Sequence, residues 1–397
     1  MKLLAKKVHN ANLYAGVFAI LTANCLLVLS LALSMSLFPA SGCAQTASAG
    51  TISFPLQFVE EGVGLTVTLG KQDVKFRQEP DFGKDRVFRS ALRIGPGQND
   101  FMGFAVNLTR GSLHLDLNRN LDLTDDPDGI RRGEGGRNSA FFRKVRLDLD
   151  SNGADRSYML QMSFSGRGFN YIYVASSYRG EIELNGRRWQ LSVQDNLDGV
   201  IDRQDRISIQ PVAAGTDSYD SLPAAEKLFL GGRQYQLGFT FESRSVPAPV
   251  TAVFTEISVP LGDLALEGRF IQRLVLDGAG LVILDAPAPR NLLPAGKYRV
   301  QGIYLHSTPG DPQLACNVNG IPPVEVVPGA AQHLKVGGPV ESSVLASSRG
   351  SILQLDYLMK GAGGEPYTLV NTIRSKPPRF AIYKGDRQLA TGNFEFG

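Results

Sequence analysis

Beyond residue 50 the chain is a succession of short apolar runs, each stopped by Gly, Asn, Asp or Pro, and this punctuation limits its folds more than any other feature. The runs 51–58, 64–70, 87–95, 101–108 and 112–117 are rich in β-branched and aromatic residues, and the pattern continues through 142–149, 158–165 and 169–176 to the C-terminus. Residues of that kind fit a pleated, half-buried surface, and the breakers between them supply turns. Past the N-terminal segment only 222–229 reads as a brief helix. The expected class is all-β, with tandem β-sandwich-like domains after an N-terminal signal or anchor segment.

Two segments set their own register. "LNGRRWQL" at 184–191 and "LGGRQYQL" at 230–237 each centre on a dipeptide that tolerates positive φ at both positions of a type I′ turn. In the first copy, pairing Leu184 with Arg187 sets Glu183 opposite Arg188 and Ile182 opposite Trp189. Charge then meets charge on one face and bulk meets bulk on the other. Between the copies, 212–226 loses strand periodicity and gains small residues, which predicts a linker. The expected organisation is 1–43 as signal peptide or membrane anchor, 51–211 as a β-rich domain, and 227–397 as one or two immunoglobulin-like sandwiches.

The first 43 residues predict export. Lys2, Lys6 and Lys7 form a positive start, and a largely apolar run follows from about residue 13 to 38. The run ends in Ala40-Ser41-Gly42-Cys43, which resembles the lipobox of bacterial lipoproteins, with Ala40 where that family usually has leucine. The resemblance implies lipidation of Cys43 and a membrane-held envelope protein. Ala47-Ser48-Ala49 offers an ordinary cleavage site instead, and the run is also long enough for a retained anchor. Only Cys316 lies beyond this region, so no disulfide framework is available to stiffen the loops.

Three of the 41 basic residues fall in the first 43, leaving 38 against 38 acidic ones. Near-neutral charge disfavours nucleic acid as a partner.

Negative charge is instead concentrated in loops. "DLNRNLDLTDDPD" at 116–128 holds five aspartates and two asparagines. Oxygen ligands at alternate loop positions are what a hard cation such as calcium requires. Asp116, Asn118 and Asn120 fill the first, third and fifth positions, the Asp122 carbonyl the seventh, and Asp126 or a neighbouring aspartate closes the site. Leu121 stands where a glycine is expected.

The second loop, "QDNLDGVIDRQD" at 194–205, resembles the calcium loops of dockerins and EF-hands. Asn196, Asp198, the Val200 carbonyl, Asp202 and Asp205 match ligand positions, and Gly199 matches the glycine. Gln194 replaces the first aspartate, and strands rather than helices flank the loop, so no cohesin-binding role is implied. The resemblance predicts structural calcium clamping hairpin tips. The competing reading is that these Asn, Asp and Gly residues cap their own backbone without metal, their charge balanced by basic residues such as those of 131–146.

Phe169, Tyr171 and Tyr173 alternate, which predicts either an aromatic stripe able to stack on sugar rings or a strand buried on both faces. No paired-histidine motif and no Gly-x-Ser-x-Gly elbow is present, and His114, two residues before Asp116, is an accessory ligand or a strand-face residue. The leading expectation is therefore a non-enzymatic, calcium-stabilised envelope or extracellular protein that binds a glycan or an envelope protein. The texture resembles that of exported bacterial proteins with Asp/Asn-rich turns. The alternative is a secreted carbohydrate-active enzyme, whose two carboxylates would come from distant strands.

Overall fold

The computed structural model describes residues 46–48, 50–62, 64–67, 69–72, 74–95, 97, 100–136, 138–151, 154–166, 170–212, 219–241, 250–306, 313–350, 352–370 and 377–395. Cys43 and Phe169 lie outside them. Apart from one 3-10 turn at Pro127–Gly129, the regular structure described is strand. The all-β expectation holds. Among the described residues no helix is long and apolar enough to cross a membrane.

The two hairpins form in the register their dipeptides dictate. Ser177–Leu184 pairs antiparallel with Arg187–Gln194, placing Leu184 against Arg187 and Ile182 against Trp189. Asn185 and Gly186 take φ of 53° and 73°, and Gly231 and Gly232 take 60° and 84°, as a type I′ turn needs. Ile182 and Trp189 are both buried, so the register turns the large apolar pair inward.

The brief helix expected at 222–229 is corrected to strands, Leu222–Pro223 and Lys227–Leu230. Leu228 and Leu230 enter one core while Phe229 enters another, so consecutive residues are buried on both faces. Such a continuous apolar run is what a doubly covered strand looks like.

Residues 44–370 make one compact unit. Within it, a four-stranded sheet, Leu65–Thr66, Tyr171–Val174, Ala154–Ser165 and Ser139–Ser151, shares a core with a five-stranded sheet that includes Val87–Arg93 and Phe101–Asn107. Phe164 from the first meets Phe88 and Phe104 from the second at ring-centroid distances of 5.4 and 5.6 Å. This is sandwich packing of alternating inward side chains.

Thr51–Val59 pairs with Ser177–Leu184 on one edge and with Val250–Ile257 on the other. Its Phe54 and Leu56 join Trp189, Tyr235 and Phe254 in a second core, which thus draws on both sides of segment 212–226. A third core forms where Leu264, Leu293 and Leu334 of a three-stranded sheet meet Leu274, Leu276 and Tyr298. Separately, Arg379–Lys384 and Arg387–Asn393 form the C-terminal hairpin.

Candidate metal centre and adjoining surface

Arg187–Gln194 and Arg206–Pro211 are antiparallel neighbours with Gln194 opposite Arg206, so residues 195–205 form the connection at one end of the pair. Leu197 and Gly199 have φ of 84° and 78°, two left-handed positions separated by one residue. Between and beside them, side-chain oxygens accept nearby amides: Asn196 from Asp198 N, Asp198 from Val200 N and Asp202 from Gln204 N. Asp205 accepts from Asn196 N and Asp202 N, both at 2.7 Å, and so laces the two ends of the loop together. These Asx turns are the local reason that this composition folds into a tight coil.

The result is a gathering of charge. Asp195, Asp198 and Asp205 are all buried, and each offers an oxygen within 4.8 Å of the others. Burial, followed by the charge of Asp195, pushes the Asp205 carboxyl up to about 8. Burial likewise raises Asp195 to about 6, with Arg156 holding it down.

Arg156 is the built-in counterion. Its Nη1 lies 3.4 Å from Asp195 Oδ2, and its guanidinium stacks 3.9 Å over the Phe241 ring. Tyr158 donates its hydroxyl to the same Asp195 oxygen at 2.9 Å. One guanidinium against three carboxylates leaves two negative charges unbalanced when all are ionised. Buried like charges of that kind are costly unless a cation offsets them.

The site therefore differs in membership from the sequence expectation. Asp198 and Asp205 belong to the carboxylate cluster, whereas Asp202 is exposed and outside it. Asp195, which the ligand spacing does not select, is the third member. Gln194 at the first ligand position turns its Nε2 to the carbonyls of Val174 and Ser176, and its buried Oε1 has no hydrogen-bond partner among the described residues. Carboxylate and amide oxygens make a hard donor set, which fits calcium by type. No local signal pointed to Arg156 or Tyr158, since both arrive from a different strand.

The first loop shows the same backbone device. Arg119 and Leu121 have φ of 60° and 63°, so Leu121 adopts the conformation reserved for the expected glycine. Asp116 accepts from Asn120 N and Leu121 N, Asn118 from Asn120 N, Asn120 from Asp122 N, and Asp126 from Leu117 N. Burial is the largest reason that Asp116 and Asp126 are both raised, whereas the Thr124 hydroxyl lowers Asp122. Among the described residues no three acidic, histidine or cysteine ligands of this loop converge as those of 195–205 do.

Of the basic residues in 131–146, Arg131 donates to the Asp128 carbonyl of the first loop, whereas others pair elsewhere. Arg143 pairs with Glu134 and Lys144 with Glu60, while Arg77 reaches Asp122 at 3.6 Å. His114 is buried against Phe82 and contacts Ser112 Oγ at 3.1 Å, and burial lowers its pKa.

The aromatic alternation resolves cleanly. Ile172 and Val174 are buried in the sandwich core, whereas Tyr171 is exposed and Tyr173 half-buried, their rings 4.9 Å apart. Thr66 is the register partner of Tyr173 and shares its face of the sheet. Thr66 also lines an open recess of about 380 Å³ whose wall includes Arg203, Gln204, Arg206 and Ser221. Arg203 and Gln204 belong to the 195–205 loop, so the recess adjoins the acidic centre.

No family model, curated protein or solved structure matches the chain.

Proposed function

We propose that this chain is an exported, non-catalytic all-β protein of the cell envelope or exterior, in which calcium clamps the 195–205 loop and the adjoining surface binds a glycan. The observation that carries the reading is the burial of three carboxylates within 4.8 Å of one another, of which only Asp195 meets a guanidinium, that of Arg156. A divalent cation supplies the two charges missing from that balance and the rigidity that no disulfide among the described residues provides.

The paired tyrosines offer sugar-stacking faces. The recess beside them offers the Arg206 guanidinium, that of Arg203 with one nitrogen already paired to Asp277, an amide and hydroxyls, donors suited to recognising a polyhydroxylated saccharide. Lipidation at Cys43 would hold the protein at a membrane, and mass spectrometry of the exported N-terminus tests that: a diacylated Cys43 is the expected product, and an unmodified start at Gly50 removes the anchor.

The clamp is tested by thermal melts with excess calcium and with chelator. Ligand at about 100 times its Kd adds about 2.7 kcal/mol to the folded state, so the midpoint should rise by several degrees. Identical midpoints would remove the clamp. Retention on immobilised polysaccharides tests the surface, and release of sugar from any of them would replace this reading with that of a carbohydrate-active enzyme.

A further inference from the structure

Glu341–Arg349 and Ile352–Lys360 form a two-stranded ribbon paired from Glu341↔Lys360 to Arg349↔Ile352. Every residue of the first strand is exposed, Leu345 by 57%, and Ile352 near the turn is exposed by 69%. Among the described residues the ladder of this strand runs to Ile352–Lys360 alone, which leaves nine residues of its other edge open. An open edge of that length is a template for another strand, and apart from Met359 and Lys360, which pair with Tyr367 and Pro366, the ribbon has no third strand among the described residues.

The edge is self-complementary. Its sequence, Glu-Ser-Ser-Val-Leu-Ala-Ser-Ser-Arg, reads nearly the same from either end, with opposite charges at the two termini. An antiparallel copy centred on Leu345 sets Glu341 against Arg349, Ser342 against Ser348, Ser343 against Ser347, Val344 against Ala346 and Leu345 against itself. A parallel copy in register would instead oppose Glu341 to Glu341 and Arg349 to Arg349. Sliding the antiparallel copy by two residues leaves an end charge unmatched and sets Leu345 against serine.

We infer that a second copy of this chain docks edge to edge along Glu341–Arg349, with a twofold axis through Leu345, to form a four-stranded sheet. Such an interface is isologous, so each complementary pair occurs twice. Val344, Ala346, Leu353, Leu355 and Tyr357 share one face of the ribbon by strand alternation. Pairing makes that apolar face continuous across the seam and satisfies the open backbone edge.

Disulfide trapping in the full chain tests the register. Leu345→Cys places two thiols on the axis, within the Cα separation a disulfide spans, whereas Ser343→Cys places its two thiols about 14 Å apart. Mild oxidation should therefore give covalent dimer from Leu345→Cys well above the wild-type background of Cys25, Cys43 and Cys316. Ser343→Cys alone should stay at background, and a mixture of Ser343→Cys with Ser347→Cys chains should crosslink.

Adding Glu341→Arg to the Leu345→Cys chain should lower the dimer yield severalfold, and adding Arg349→Glu as well should restore it. No excess dimer from Leu345→Cys, equal crosslinking from Ser343→Cys alone, or failure of the charge reversal to restore the yield would each overturn the interface.

Discussion

The charge of Asp195 bears directly on Asp205: after burial itself, it is what holds the Asp205 carboxyl near 8. Both folded-state values, about 6 and about 8, lie above the ordinary 3.8 of an aspartate. The folded, metal-free protein thus keeps protons that the unfolded chain would release. Its stability contribution from these groups is full below about pH 4 and is lost as pH rises through 6 and then 8. Melts in chelator should fall across that window, and calcium should flatten the fall by replacing the protons. Superimposable profiles with and without calcium would sink the idea.

Asp205→Asn removes a carboxylate from the centre and one of two acceptors that hold the loop amides. The calcium-dependent rise in melting temperature should vanish in this variant, while the chelated proteins differ by only about 1 to 3 kcal/mol, the range for one unsatisfied buried donor. Isothermal calorimetry with calcium reads the same loss directly. Undiminished binding would exclude Asp205 as a ligand.

Gly199→Ala tests the loop geometry without touching a carboxylate. The residue sits at φ 78°, and an added Cβ would come within 1.8 Å of Arg156 Nη1. Left-handed strain costs about 1 to 2 kcal/mol for a residue with a side chain, and displacement of the guanidinium from Asp195 adds to it. Urea denaturation should register both. In contrast, Leu121→Gly relieves the same strain at Leu121 and should be neutral or stabilising by up to about 1 kcal/mol.

Tyr171→Ala and Tyr173→Ala should separate binding from stability. Tyr171 is exposed and Tyr173 half-buried, while Ile172 between them carries the core contact. Affinity electrophoresis in polysaccharide gels should show lost retardation with the melting temperature moved by only a few degrees. Unchanged retardation of a retained polysaccharide by both variants would rule out this face as the platform.

Ile182→Ala probes the hairpin register. Its side chain is buried opposite Trp189, and truncation of such a residue costs about 2 to 5 kcal/mol. Glu183→Ala, one residue along on the other face, should cost under about 0.5 kcal/mol. Equal losses in chemical denaturation would contradict the assigned faces.

Local backbone chemistry was legible in the sequence because it needs only neighbours. Asn185-Gly186 and Gly231-Gly232 determine turns, turns determine register, and period-two alternation determines that Ile172 and Val174 face opposite to Tyr171 and Tyr173. Gly199 announced its left-handed position for the same reason. At 222–229 local reading failed, because whether Leu228, Phe229 and Leu230 belong to a helix or a doubly covered strand depends on what lies on each side of them.

Spacing nominated Asp198 and Asp205, but the membership of Asp195 in the acidic centre was decided by tertiary structure. Spacing nominated alternate positions of one loop, but Asp195 enters the cluster because Arg156 and Tyr158 reach it from a strand about 40 residues away in sequence. Burial, not spacing, raises Asp195 and Asp205, and part of the cover over Asp195 comes from Arg156 and Tyr158, which are remote from it in sequence. Charge in a loop is a property of the sequence; the cost of that charge is a property of the fold, since only packing removes the water that would have screened it.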